Sequence, residues 1–243
     1  MVEKKLRRLI PMYGGKRSIA GRYPEPQCGR IIEPFAGGAG YSLEYPSRLV
    51  HLSDLDERVC GVWDFLIHAS EADVLRIPSE VQHVDDLPAR RYGQEIKWLV
   101  GWWLSPGAAA GPGLKAYGWG GDGPKGHKGR SDVWGQKCKE RLASQLSQIR
   151  HWTIQQASYE VLDPTTEATW FVDAPYQIMG KHYVQSATAI DYAALARWCQ
   201  SLQGQVIVCE NEGAEWLPFK PLCEMVGGQR HRTIEAIWTN QGR

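Results

Sequence analysis

The stretch Trp170-Phe-Val-Asp-Ala-Pro-Tyr176 runs from an apolar strand pattern straight into a carboxylate, a proline and a tyrosine. That combination suits methyl transfer to an exocyclic amine of a base. The amine hydrogens need acceptors so that the nitrogen lone pair can face a methyl donor, and the Asp173 carboxylate and the Ala174 carbonyl can supply them. Pro175 stiffens the turn and holds Ala174 extended, which fixes that carbonyl. A base must leave the duplex stack to reach such a site, and Tyr176 offers a ring to stack on it. The same residues also read as a strand-ending turn with a buried tyrosine.

A second stretch, Ile31-Ile-Glu-Pro-Phe-Ala-Gly-Gly-Ala-Gly40, follows a strand pattern with glycines that let backbone approach a ligand at the carboxyl end of a strand. Alone it is a tight turn, a nucleotide site or an S-adenosylmethionine site. It is not a P-loop, because no Gly-Lys-Ser/Thr follows. Asp54 ends the next strand pattern about 17 residues later, where an acidic side chain accepts from ribose hydroxyls. It also stands where a helix N-cap belongs, and both roles are compatible. Asp56 and Glu57 read as first-turn charges of that helix.

The elements that must hold these residues are legible as periodicities. Short apolar runs at Arg30–Phe35, Leu49–Ser53, Trp152–Gln156, Thr169–Val172 and Gln205–Cys209 fit buried strands of a mostly parallel sheet. Between them, Asp54–Ala69, Asp132–Ile149 and Asp191–Leu202 carry apolar residues at helical spacing, with Ser131 or Asp132 as the cap of the second. Alternating strands and helices make an α/β domain. The 243 residues suit one domain carrying an insertion, and 43% hydrophobic residues allow a core and exclude disorder as the main state. The interval from Gly101 to Gly135 breaks the rhythm with 11 of the 26 glycines and four tryptophans, and such a stretch is functional or disordered. Of those tryptophans, Trp102 and Trp103 end an apolar helix pattern and read as core, whereas Trp119 and Trp134 fall in the basic stretch.

The net charge of +1 argues against a nucleic-acid partner only until it is divided. Residues 1–30 carry +6, 31–100 carry −6, 101–150 carry +5 and 151–243 carry −4. Two basic regions can therefore bind phosphates whatever the total. The six cysteines show no CxxC pair or ligand-like spacing, so reduced cytoplasmic thiols are expected. The basic N-terminus lacks an apolar leader core, and no run approaches a membrane span.

Taken in order, Pro11-Met-Tyr-Gly-Gly-Lys-Arg17, Glu33-Pro-Phe-Ala-Gly-Gly-Ala-Gly40, Asp54 and Asp173-Ala-Pro-Tyr176 resemble the Dam-like DNA adenine-N6 methyltransferases. Glu210-Asn211 after Val206–Cys209, and Glu235-Ala-Ile-Trp-Thr-Asn240, add to the likeness. The resemblance implies a Rossmann-like S-adenosylmethionine-dependent methyltransferase sheet with helices on both faces. It implies a catalytic domain of residues 1–100 and 151–243, with a Gly/Trp-rich basic recognition region, 101–150, inserted. Lys16, Gly14 and Gly15 then lie near the methionine end of the cofactor. The family often has an aromatic residue four before this lysine; here Met12 holds that place and Tyr13 follows. Glu33, Phe35 and Gly37 border the cofactor, Asp54 holds its ribose, and Asp173 accepts from the target amine. Tyr176 stacks on the flipped adenine.

Lys125, Lys128, Arg130, Lys137 and Arg141 are expected to contact phosphates, and Lys181, His182 and Tyr183 to border the DNA. The resemblance implies double-stranded DNA as the partner, a monomer or weak dimer with no metal, and a bacterial or phage-infected cytoplasm as the setting. With no obvious nuclease region the resemblance is to a stand-alone modifier, orphan or part of restriction–modification, of the sort phages and prophages carry. One departure is Ala174, where the family usually has the first proline of Asp-Pro-Pro-Tyr. The carbonyl survives, but about 0.5–1 kcal/mol of rigidity is lost. Cytosine-N4 methylation, or a weak or inactive DNA-binding relative, are the alternatives.

Overall fold

The computed structural model describes residues 5–12, 14–105, 133–177, 190–226 and 232–241. Seven strands form one sheet: β1 (Arg30–Glu33), β2 (Leu49–Asp54), β3 (Thr153–Gln156), β4 (Ala168–Val172), β5 (Gly204–Asn211), β6 (Lys220–Val226) and β7 (Arg232–Thr239). Their order is β3-β2-β1-β4-β5-β7-β6. The first five run parallel, β7 is antiparallel to β5, and β6 is antiparallel to β7.

The central strands are apolar on both sides, so successive side chains feed two separate cores. Ile31, Phe171, Ile207 and Cys209 face one, whereas Ile32, Trp170, Val172, Val206 and Val208 face the other. The first core is closed by α1 (Glu57–His68), α3 (Gln94–Leu104) and α4 (Gln136–Ala143), with α2 (Glu71–Leu75) against α4. The second is closed by α5 (Tyr192–Ser201), through Leu195, Ala196 and Cys199. This is the mixed α/β, Rossmann-like sheet with helices on both faces that the sequence leads one to expect.

Several details differ from the sequence reading. The cap of α1 is Asp56, whose side chain accepts from Arg58 N, and not Asp54. Asp54 is occupied elsewhere, as described below. The helix expected over Asp132–Ile149 begins at Gln136 behind Gly135 and breaks after Ala143, resuming as a 3-10 turn at Leu146–Ile149. Trp134, placed by sequence in the basic stretch, is core: it is buried, and its indole nitrogen donates to the Pro78 carbonyl at 2.8 Å. Trp102, Trp103, Leu142 and Leu146 share that core. The ends of the stretch 101–150 are thus built into the main domain, while 106–132, with Trp119, lie outside the described residues. All six cysteines are free. Among the described residues no helix is long and apolar enough to cross a membrane.

Candidate active site

The carboxyl ends of β1, β2 and β4 meet around a cavity of about 340 Å³, where open α/β sheets bind ligands. The turn after β1 forms one wall. Gly37 adopts φ +45°, a left-handed conformation that favours glycine. Its N–H donates to Asp54 Oδ2 at 2.9 Å, and its carbonyl accepts from Trp63 Nε1 at 2.8 Å. Gly40 has a different reason. A Cβ there would lie 2.7 Å from Arg17 N and 3.0 Å from the Lys16 carbonyl carbon, so only glycine lets the two loops touch.

Asp54 accepts from Asp56 N at 2.9 Å through Oδ1 as well as from Gly37 through Oδ2. A carboxylate has about four acceptor sites, so acceptor capacity remains for a ligand's hydroxyls. Burial raises the Asp54 pKa, and those two backbone N–H groups oppose the rise. Glu33, at the end of β1, is 2% exposed and accepts from Ser42 N at 2.8 Å. Burial pushes its pKa up to about 8.

The Lys16 ammonium is buried and lies 2.8 Å from Asp173 Oδ1. It also donates to the Gly14 carbonyl at 3.1 Å and sits 4.4 Å from the centre of the Tyr176 ring. Burial raises the Asp173 pKa, while Lys16 pulls it back. Behind Asp173 lies a buried cluster. Tyr176 and Tyr23 both donate to Glu235 Oε1, at 2.6 and 2.7 Å. Glu235 is fully buried, and its other oxygen has no partner among the described residues. Its pKa is raised, chiefly by burial.

No protein-family model and no curated protein matches the chain. Among solved structures it is similar to yhhF of Escherichia coli, described as a candidate methyltransferase, at 11% identity and a TM-score of 0.35, over 88% of this chain and 76% of that one. It is similar to HI0767 of Haemophilus influenzae, described as a candidate methylase, at 12% identity and a TM-score of 0.33, over 88% of this chain and 80% of that one.

Of the expected cofactor residues, Met12, Gly14, Gly15, Lys16, Glu33, Phe35, Gly37 and Asp54 all line the one cavity, as does Asp173, for which the family resemblance also implies a contact with the cofactor's amino group. Tyr13 lies outside the described residues. Pro175 lines it too, whereas the side chains of Ala174 and Tyr176 are buried and do not. Lys137 is exposed on α4. Arg141 is half-buried, lies 4.7 Å from the Trp103 ring centre and donates to the Arg8 carbonyl at 2.8 Å. Lys125, Lys128, Arg130, Lys181, His182 and Tyr183 lie outside the described residues.

Sequence reasoning missed several residues. Tyr159 lines the cavity with its ring centre 5.5 Å from that of Phe35, making an aromatic wall. Trp102, read as core alone, also lines it, and its indole nitrogen has no partner among the described residues. Glu235 left one signal, a carboxylate set between Ile234 and Ala236 in an apolar strand. Among the described residues no group of three His, Cys, Asp or Glu could hold a metal.

Proposed function

We propose that the protein is an S-adenosylmethionine-dependent methyltransferase that modifies the N6 amine of an adenine flipped out of double-stranded DNA. The observation that carries this reading is that Asp54, from the end of β2, and Asp173, from the end of β4, line the same cavity. One is suited to ribose hydroxyls and the other to an amine.

The cavity's donor set fits the cofactor. Asp54 keeps acceptor capacity, Phe35 and Tyr159 offer a flat apolar wall, and the cavity falls in the range of about 300–1,000 Å³ typical of small-molecule sites. Asp54 would hold the ribose, Phe35 would flank the cofactor, and Met12, Gly14, Gly15 and Lys16 would border its methionine end. The bound cofactor supplies a methyl group on a sulfonium, an electrophile strong enough that orientation and desolvation do most of the remaining work. Lys16 holds one oxygen of Asp173 and leaves the other to accept an amine hydrogen. The Ala174 carbonyl accepts the second, which turns the nitrogen lone pair outward. After transfer the surplus amine proton passes to the Asp173 carboxylate.

The test is incubation with unmodified DNA and methyl-labelled S-adenosylmethionine, followed by nucleoside analysis of the digest. N6-methyl-2′-deoxyadenosine is expected, and Asp173→Ala should lose it while cofactor binding partly survives. A digest with no methylated adenine above background refutes the reading, and full activity in Asp173→Ala refutes the role of that carboxylate.

A further inference from the structure

A second cavity, of about 310 Å³, adjoins the first, and Met12 and Gly15 line both. Its described lining includes Arg7, Arg8, Arg17 and Arg141 and no acidic side chain. The four arginines are not equivalent. Arg17 is ion-paired with buried Glu44, and Arg141 lies over Trp103. Arg7 and Arg8 are exposed, and neither guanidinium has an ion pair among the described residues.

The backbone carrying Arg7 and Arg8 is held in place throughout. Leu6 N donates to the Leu43 carbonyl at 2.8 Å, and the Leu6 carbonyl accepts from Arg17 Nε at 2.6 Å. Arg7 N donates to Gln145 Oε1 at 2.6 Å. The Arg8 carbonyl accepts from Arg141 at 2.8 Å, and the Leu9 carbonyl from Trp103 Nε1 at 3.0 Å. Five hydrogen bonds thus fix a segment whose own charged heads have no ion pair among the described residues. Like charges this close repel. The Arg141 pKa is lowered, first by burial and further by Arg7 and Arg8. An anion in the cleft would relieve that repulsion.

We propose that this cleft takes a phosphodiester group of the polynucleotide strand, with Arg7 and Arg8 as its exposed donors and Arg141 as a half-buried one. The proposal deepens the function inferred above and rests on it for the identity of the strand. A phosphodiester fits better than a small free anion, because the unpaired donors are exposed side chains at a cleft mouth, and the neighbouring cavity is the one a base would enter. Guanidinium groups suit phosphate oxygens through their paired N–H donors.

The experiment measures binding of a short fluorescein-labelled DNA duplex by anisotropy across a range of NaCl concentrations. Each lost phosphate contact should lower the slope of log K against log [salt] by roughly 1, so Arg7→Gln/Arg8→Gln should lower it by about 2. Arg7→Lys/Arg8→Lys should keep most of it. Thermal stabilisation by S-adenosylmethionine, read on the same variants, should match wild type and reports that the first cavity is intact. An unchanged salt slope in the glutamine variant, with that stabilisation preserved, overturns the cleft and leaves the methyl-transfer reading standing. Wild-type protein without measurable affinity for the duplex at low salt overturns both.

Discussion

Replacing Glu33 by glutamine tests whether the floor of the cavity is as dry as its packing implies. The side chain is 2% exposed, and its pKa rises from 4.5 to about 8, burial being the largest cause and the Ser42 N–H a partial offset. The sign follows from linkage. The folded protein keeps a proton that the unfolded chain releases, so this contribution to stability is complete below pH 4.5 and lost as pH climbs through about 8. The gap corresponds to roughly 5 kcal/mol at about 1.4 kcal/mol per pKa unit. Glu33→Gln keeps an amide oxygen for Ser42 N and cannot ionise. Urea unfolding of both proteins at pH 5 and pH 8 reads mainly Glu33, because titrations not coupled to it cancel in the comparison. Wild type should lose about 4 kcal/mol more than the variant over that interval. The variant should be the more stable protein at pH 8. Identical pH dependence would mean that Glu33 stays ionised throughout, and the dry floor would be refuted.

Glu235→Ala leaves the buried hydroxyls of Tyr23 and Tyr176 without an acceptor, at about 1–3 kcal/mol each. Its melting temperature should fall by roughly 5–20 °C, and that of Glu235→Gln, which keeps an oxygen, by less than half as much; equal melting of all three proteins refutes the cluster. Gly40→Ala sets a Cβ against the backbone of Lys16 and Arg17, where nothing flexible can yield. Turnover should drop by roughly 10²-fold as Lys16 shifts off Asp173, and a fully active Gly40→Ala protein would show that the approach is not needed.

What could be read from the sequence was whatever repeats locally. Four of the five parallel strands contain short apolar runs, and α1 shows Val59, Val62, Trp63, Leu66 and Ile67 at helical spacing, all buried. The candidate cofactor residues were legible because each adjoins a strand end or a glycine turn. The two antiparallel strands were not. In β6 a proline at position 221 coincides with a break in register, and the strand alternates little. In β7 the buried Glu235 interrupts the apolar pattern. Lys139 defeats the usual rule in the same way. It is 3% exposed, and its ammonium donates to the carbonyls of Leu75 and Ile77 near the end of α2, at 2.9 and 2.5 Å. No local pattern signals a lysine whose partners lie more than 60 residues away.

The same distinction bears on Ala174. In the sequence it reads as lost rigidity in the turn that carries Asp173, worth about 0.5–1 kcal/mol. The folded turn is tied from four directions. Lys16 holds Asp173 at 2.8 Å, and the Tyr192 hydroxyl donates to the Pro175 carbonyl at 2.6 Å. The Tyr176 hydroxyl donates to Glu235 at 2.6 Å, and Gln177 N donates to Glu210 Oε2 at 3.1 Å. Each hydrogen bond contributes about 0.5–1.5 kcal/mol net, and more where one partner is charged. Together they outweigh the missing proline ring, so the turn is ordered by its surroundings instead of by its own sequence. Ala174→Pro should therefore change turnover by less than about threefold, because the freedom a proline would remove has already been removed. A gain of 10²-fold in that variant would mean that the four tethers do not fix the carbonyl, and that the turn needs its proline after all.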